Sequence, residues 1–393
     1  MTDGGRVRVG ISGSGFIARA LYPVLMGTPD FTVSGVLTRR PVALSAGHFP
    51  EGVLTNSTEA LIERADIVFE CSGDTLHAAE VLVAAGEAGR RLVTMNAEAQ
   101  VTVGTELLHM GYSITEAHGD QPGATAELDA EVRAIGFEPV AYVNLKGFHD
   151  PDPTRESMLY WSERQASTLS AVTSYTDGGK MQIEQVLVAN GLGARIARQG
   201  MIGGAVDDLL DLGYLAAEAT RIGRPVSDYV VHPKGPKGVL VLATSEDAER
   251  TPDYSVFSKV RTHDGRAYML LKPHYFVHVE VPKTLRGVMA GAPPVITNSL
   301  APTVSIAAVT KRALGPGTRI ETGLGGFELR GEAVTIAEAP DAVPITLLDG
   351  AVTRHALEAG AVVTEADIDV PDSLARRLWS RTADRVLKGS HAA

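Results

Sequence analysis

The chain has 393 residues, 44% hydrophobic and 21% charged, with a formal net charge of -11 and a single cysteine, Cys71. That length exceeds one compact core and suits two or three domains, and the composition excludes a disordered chain. The acidic balance argues against a nucleic-acid partner, the lack of an apolar run of ~18–20 residues against a membrane, and the lone cysteine against an internal disulfide.

The first element is a strand, Arg-Val-Arg-Val-Gly-Ile-Ser (6–12), running into Gly13-Ser14-Gly15-Phe16-Ile17-Ala18 and an apolar helix. Strand, Gly-x-Gly-x-x-Ala turn and helix in that order form the fingerprint of a dinucleotide-binding βαβ unit. Gly13 permits the tight turn, and Gly15 lets the backbone approach a pyrophosphate. Phe16 and Ile17 open the helix whose amides would receive it. A second strand, 31–37, ends where a ribose-reading carboxylate belongs in an NAD site, but the residues there are Thr38, Arg39 and Arg40. Two guanidiniums and a hydroxyl suit a 2′-phosphate, so NADP is the expected cofactor; the alternative is a solvated basic turn. A third strand, Ala65–Cys71, leads through Ser72 and Gly73 into a helix, and Cys71 reads as a small buried residue. Arg91–Met95 is the next strand, followed by Asn96 and a further helix. In a doubly wound sheet the strand ends line the ligand crevice, which places Ser72 and Gly73 at the cofactor.

Val140–Val143 is another strand, after which the alternation stops. Glu184–Ala189 and Leu209–Thr220 read as helices; Val239–Leu242, Tyr268–Leu271 and Phe276–Val281 read as strands. A third region holds a strand at Val304–Val309, a turn at Gly315-Pro316-Gly317, and a terminal helix from Ser373 to Leu387. The expected fold is α/β: an N-terminal Rossmann doubly wound sheet (1–150), an α+β substrate domain (151–298), and a small, mostly β C-terminal domain with a final helix (299–393). The N-terminus shows no signal-peptide apolar region, so a cytoplasmic enzyme is expected.

Hydride transfer needs a nicotinamide, a positioned carbonyl or alcohol, and a group that moves the hydroxyl proton. Asn96 and Glu98 follow a Rossmann strand, where substrate would meet nicotinamide, and Asn96 reads equally as a helix cap. Asp120 lies in the polar loop 118–124. Lys146 follows the 140–143 strand. Asp177-Gly178-Gly179-Lys180 precedes a helix that places Lys180 and Glu184 on one face. A desolvated lysine oriented by carboxylates can act as general acid; the alternative is a turn with a surface ion pair. His278 and Glu280 alternate onto one face of the 276–281 strand and read more readily as structural than as ligands. No Gly-x-Ser-x-Gly, His-Glu-x-x-His or Walker loop is present.

Several runs, in order, carry a resemblance: 13–18, Met-Asn-Ala-Glu-Ala (95–99), Gly-Asp-Gln-Pro-Gly-Ala (119–124) and Tyr-Thr-Asp-Gly-Gly-Lys (175–180). Further along are 272–282, Gly-Gly-Phe-Glu-Leu-Arg-Gly (325–331) and 348–364. Over nearly its whole length the chain resembles the homoserine-dehydrogenase-like oxidoreductases with a C-terminal SAF domain, a group that includes proteins similar to 1-deoxy-D-xylulose 5-phosphate reductoisomerase. The resemblance implies an NADP-dependent homo-oligomer acting on a small polar carbonyl compound or polyol bound between the first two domains, with an SAF-like third domain. A reductoisomerase would add a divalent metal held by carboxylates.

The chain departs from this pattern in three places. Homoserine dehydrogenases carry Thr-Ala-Asn-Lys where Thr94-Met95-Asn96-Ala97 stands here, so the proton-transfer residue is expected at Lys180, oriented by Asp177 and Glu184, or at Lys146. Gln121 and Gln100 replace family carboxylates, which points to a shifted substrate or metal requirement. A reductoisomerase or oxidoreductase is therefore expected. Simple alcohol dehydrogenation and a non-catalytic NADP-binding sensor are the alternatives.

Overall fold

The computed structural model describes residues 5–245 and 260–390. These form two compact units, one of Met1–Gly123, Phe276–Leu300 and Ser373–Thr382, the other of Ala124–Tyr275, Ala301–Asp372 and Ala383–Ala393.

The first unit is built on β1 (Val7–Ser12), β2 (Phe31–Leu37), β3 (Leu54–Thr55), β4 (Ile67–Glu70), β5 (Arg91–Thr94) and β6 (Ile114–Glu116). They lie in the order β3-β2-β1-β4-β5-β6, all parallel. That is the doubly wound nucleotide-binding order, with its switch point between β1 and β4. β4 is buried along its whole length, as expected of a strand covered on both faces. Val9, Ile11, Phe31, Ile67 and Phe69 form one core with Leu21 and Leu25 of the helix Phe16–Met26. After β5 a short helix, Ala97–Ala99, passes through a π-helical stretch, Gln100–Gly104, into Thr105–His109.

One expected strand is absent. Phe276–Val281 forms a 3-10 turn, Val277–Val279, followed by the helix Val281–Met289. Two local causes override the short alternation of 276–281. Pro282 sits in the first helical turn, where its missing N–H is harmless. Val281 and Leu285 also recur at helical spacing and bury against the sheet core. His278 and Glu280 therefore do not share a strand face.

The second unit holds β7 (Glu138–Lys146), β8 (Val226–Val231), β9 (Gly238–Thr244) and β10 (Tyr268–Lys272) in the order β10-β9-β7-β8. β7 runs parallel to β8 and antiparallel to β9, which in turn is antiparallel to β10. β7 is thus central to this second sheet. Its side chains alternate. Ala141, Val143 and Leu145 meet Leu212, Leu215, Ala216 and Ala219 in one core. Asn144 and Lys146 point the other way, to Glu184 of the helix Gly179–Leu192.

That helix is buried on all sides, and its amides stitch it to its neighbours. Gln185 donates to the Tyr142 carbonyl (2.9 Å) and the Asp228 carbonyl (2.6 Å). Asn190 donates to the Val304 carbonyl (2.9 Å), and Gln182 accepts from the Ala333 amide (2.7 Å). The last two contacts reach the antiparallel pair β11 (Val304–Thr310) and β12 (Leu329–Thr335). A small pair, β13 (Val352–Thr353) and β14 (Ile368–Asp369), follows. The hairpin β11–β12 covers the 179–192 helix and lies in the same unit, where Asn190 and Gln182 meet its backbone.

Candidate functional site

Gly13 has φ +113°, and a Cβ there would meet Ser72 Cα at 2.9 Å and the Cys71 carbonyl carbon at 3.0 Å. Only glycine allows the ends of β1 and β4 to approach so closely. Gly15 differs: its φ is -82°, and a Cβ would meet nothing within 4 Å. The helix it precedes has no side-chain cap, and Phe16 at its start is 65% exposed. An uncapped helix N-terminus beneath open space is suited to an anion. Ile17, by contrast, packs on the sheet core.

Thr38 is buried, with its hydroxyl 2.9 Å from that of Ser14 and accepting from the Arg40 amide at 3.3 Å. This ties the end of β2 to the glycine turn. Arg39 and Arg40 are exposed. Arg39 Nη1 pairs with Asp74 Oδ2 at 2.6 Å. Asn56 clasps the segment by donating to the Thr38 and Arg40 carbonyls. Beside it lies a cleft of about 430 Å³ lined by Leu37, Thr38, Arg39, Pro41, Asn56, Thr58 and His77.

At the end of β4, buried Glu70 organises two loops. Its Oε1 accepts from the Ser72 amide (2.7 Å), the Ser72 hydroxyl (2.5 Å) and Asn96 Nδ2 (3.1 Å). Burial pushes the Glu70 carboxyl above its ordinary range, against the pull of these donors. The Cys71 thiol is raised well above its ordinary value, first by burial and then by the Glu70 charge, so it is a packing residue. Gly73 takes φ +71°. Asn96 is fully buried, and its Oδ1 caps the helix Ala97–Ala99 through the Ala99 amide at 3.1 Å. Both ends of the Asn96 amide thus have protein partners. Glu98 is buried on that helix, and Asp120 is half-buried, with Oδ1 accepting from the Gln121 amide at 2.9 Å.

In the second unit Glu184 is 2% exposed, and its Oε2 accepts from Asn144 Nδ2 (2.8 Å) and Lys146 Nζ (3.1 Å). Asn144 Oδ1 is buried without a hydrogen-bond partner among the described residues, and the Lys146 side chain is 20% exposed. Lys180 lies on the same helix as Glu184, one turn earlier, and is half-buried. Asp177 pairs with Lys311 at 2.7 Å, both side chains wholly buried, and Lys311 also donates to the Gly326 carbonyl at 2.8 Å. Burial raises the Asp177 carboxyl, and the Lys311 charge opposes that. Asp177 Oδ1 meanwhile accepts from the Gly179 amide at 2.9 Å. The structure therefore joins Lys146 to Glu184 and Asp177 to Lys311. Two of the sequence runs that carry the resemblance meet here: 175–180 supplies Asp177, and 325–331 supplies the carbonyl holding Lys311.

Sequence reasoning missed Lys311, Glu70, Asp74, Asn56 and Asn144's contact with Glu184. Asn144 and Lys146 were legible as a same-face pair at the end of an alternating strand. Lys311 stands just past an apolar strand, a weaker signal. Among the described residues no three His, Cys, Asp or Glu side chains are grouped to hold a metal, and no helix is long and apolar enough to cross a membrane.

Residues 119–281 match the family model described as oxidoreductase DRL, catalytic domain, which supports an oxidoreductase. A comparison with curated proteins gives no match. The chain is similar in structure to a UDP-N-acetylglucosamine 3-dehydrogenase from Acidithiobacillus ferrooxidans, at 13% identity, covering 75% of this chain and 92% of that one, with a TM-score of 0.42. It is likewise similar to an NAD-binding protein from Listeria innocua, at 12% identity, covering 75% and 90%, with a TM-score of 0.36.

Proposed function

We propose that this chain is an NADP-dependent oxidoreductase or reductoisomerase that reduces a small α-hydroxy carbonyl substrate. The observation that carries the reading is the Gly13–Gly15 turn at the β1/β4 switch point, where open space stands over an uncapped helix N-terminus. A dinucleotide fits there: its pyrophosphate takes the turn, and its adenosine end takes the cleft beside Thr38 and Arg39. Arg39 and Arg40 favour a 2′-phosphate, since a charge-assisted hydrogen bond contributes roughly 1.5–3 kcal/mol. When bound, NADPH supplies the hydride to the carbonyl carbon.

Lys146 is the favoured proton donor to the resulting alkoxide. Glu184, itself held by the Asn144 amide, fixes its ammonium, and the Lys146 side chain keeps some exposure through which a substrate can reach it. Lys180 is the second candidate; Glu98 and Asp120 are candidate substrate contacts, and Asn96, held between Glu70 and the Ala99 amide, positions the segment that carries Glu98. Asp177 and Glu184 do not suit a divalent metal. Each is paired with a lysine, and a cation would have to displace both ammonium groups. The resemblance of runs 95–99, 119–124 and 175–180 supports reductoisomerisation over simple alcohol dehydrogenation.

The test is NADPH consumption over a panel of α-hydroxy ketones, aldoses and amino-acid semialdehydes. With a substrate in hand, Lys146→Met lowers kcat by about 10²-fold or more, the usual weight of a positioned acid. Full turnover in Lys146→Met with loss in Lys180→Met reassigns the proton to Lys180. Failure to bind NADPH overturns the reading.

A further inference from the structure

In the parallel sheet of the first unit, β2 and β4 are the two neighbours of β1. Arg39 follows the end of β2, and Asp74 follows the end of β4. Their ion pair at 2.6 Å therefore crosses over the end of β1, above the glycine turn that would take the pyrophosphate. The two partners are held unequally. Asp74 Oδ1 caps the helix Thr75–Glu87 by accepting from the His77 amide at 3.0 Å, and the Asp74 amide donates to the Ser72 hydroxyl at 3.3 Å. The Arg39 side chain is 60% exposed, against 22% for Asp74. Arg39 also lines the 430 Å³ cleft, together with the hydroxyl-bearing Thr38 and Thr58 and with His77. The carboxylate is the fixed end, and the guanidinium is the end free to swing.

We infer that Asp74 is a specificity-determining residue, a fixed counter-ion that withholds Arg39 from the cleft until a phosphate on the adenosine ribose competes for it. This rests on the NADP reading above. A ligand with a bare ribose gains nothing from displacing Asp74, because a hydroxyl is a poorer partner for Arg39 than the carboxylate it already has. A dianionic 2′-phosphate outbids the carboxylate, but it loses the strength of the pair it breaks. For an exposed pair that strength is at most about fivefold in affinity. Asp74 thus lowers affinity for the phosphorylated cofactor and leaves the other unchanged.

The experiment measures dissociation constants by titration calorimetry, using adenosine 2′,5′-bisphosphate and AMP as probes and NADP+ and NAD+ as full ligands. Asp74→Asn keeps the cap, since asparagine caps helices as well as aspartate, and it removes the charge. The expected result is two- to fivefold tighter binding of both 2′-phosphorylated ligands, with AMP and NAD+ unchanged and no effect of Asp74→Asn in an Arg39→Ala background. Unchanged or weaker binding of the 2′-phosphorylated ligands by Asp74→Asn overturns the inference, as does an equal gain for AMP. The Arg39→Ala arm tests the underlying reading separately: an unchanged ratio between the 2′-phosphorylated and plain ligands there overturns the NADP assignment and the inference with it.

Discussion

The helix N-termini at Phe16 and Gly179 both follow glycine turns, and they are built in opposite ways. The turn before Phe16–Met26 has no side-chain cap and open space at Gly15. The turn before Gly179–Leu192 is already filled by the chain's own anion: Asp177 accepts from the Gly179 amide, and Lys311 neutralises Asp177. Gly178 is left-handed at φ +86° and lies against His149, while a Cβ at Gly179 would touch Leu324 at 3.0 Å. Asp228 repeats the second design, its carboxylate accepting from the Ile202, Gly203 and Tyr229 amides at 2.7–2.9 Å. Backbone donors of the second unit are given to internal carboxylates, which hold helix and loops in place. The turn of the first unit keeps its helix end available to a ligand.

The largest expected effect comes from breaking the filled turn. Lys311→Met leaves Asp177 buried without its counter-charge, and removing one member of a buried pair costs about 3–5 kcal/mol. Urea unfolding should show a loss of that size, and Asp177→Asn/Lys311→Met should recover much of it, because no charge is then stranded. Lys311 touches no expected substrate position, so its role is positioning. In the folded fraction of Lys311→Met, kcat should fall more than KM rises, through displacement of the helix whose Glu184 holds Lys146. An unfolding midpoint equal to that of the parent would show that the pair does not hold the turn.

Asp228 gives the next effect, as a pH dependence. Burial pushes its carboxyl up to about 6 from an ordinary 3.8, although three amides pull the other way. The folded chain therefore keeps this proton to about pH 6, whereas the unfolded chain gives it up near pH 4. Between those values the folded state binds more protons, so stability falls as pH rises. The contribution is complete below the unfolded value and is lost as pH passes through about 6. A rise from 3.8 to about 6 corresponds to about 3 kcal/mol. Melting curves of the parent and Asp228→Asn from pH 4 to 7 should show the parent losing ground across that window and holding level above it. A constant difference would mean that Asp228 is ionised throughout.

How much of this was legible in the sequence follows from distance along the chain. The parallel sheet and the Gly13–Gly15 turn are encoded within contiguous stretches, because a βαβ unit is a local structure with a strand period, a turn and a helix period in series. The 276–281 segment reads as a strand because the five residues 277–281 alternate, while the signals that decide it, Pro282 and the Val281/Leu285 spacing, lie at and beyond its edge. The second unit is different in kind. Lys146 and Glu184 are 38 residues apart, and Asp177 and Lys311 are 134 apart. No period links such pairs. Sequence spacing placed Lys180 beside Glu184 on one helix, but it could not reveal that the helix is buried between a sheet and a hairpin, with Lys146 and Lys311 arriving from each.

The smallest effects give the sharpest contrast, since the same substitution at the two turns should have opposite consequences. Gly178→Ala forces a left-handed alanine against the His149 ring nitrogen, 2.8 Å from the new Cβ, and should cost about 1–3 kcal/mol in stability. Gly15→Ala asks nothing unusual of the backbone at φ -82° and meets no atom within 4 Å. Unfolding by urea should change by less than about 0.5 kcal/mol. The added methyl instead occupies the space over the helix N-terminus, so a pyrophosphate would lose one or more charge-assisted hydrogen bonds, and NADPH affinity should fall roughly tenfold or more. A Gly15→Ala protein that unfolds early would make the turn a structural one like Gly178. A protein of parental stability that still binds NADPH with parental affinity would place the pyrophosphate somewhere other than this turn. Stability kept and binding lost is the outcome that separates a turn built to receive a ligand from one built to hold a helix.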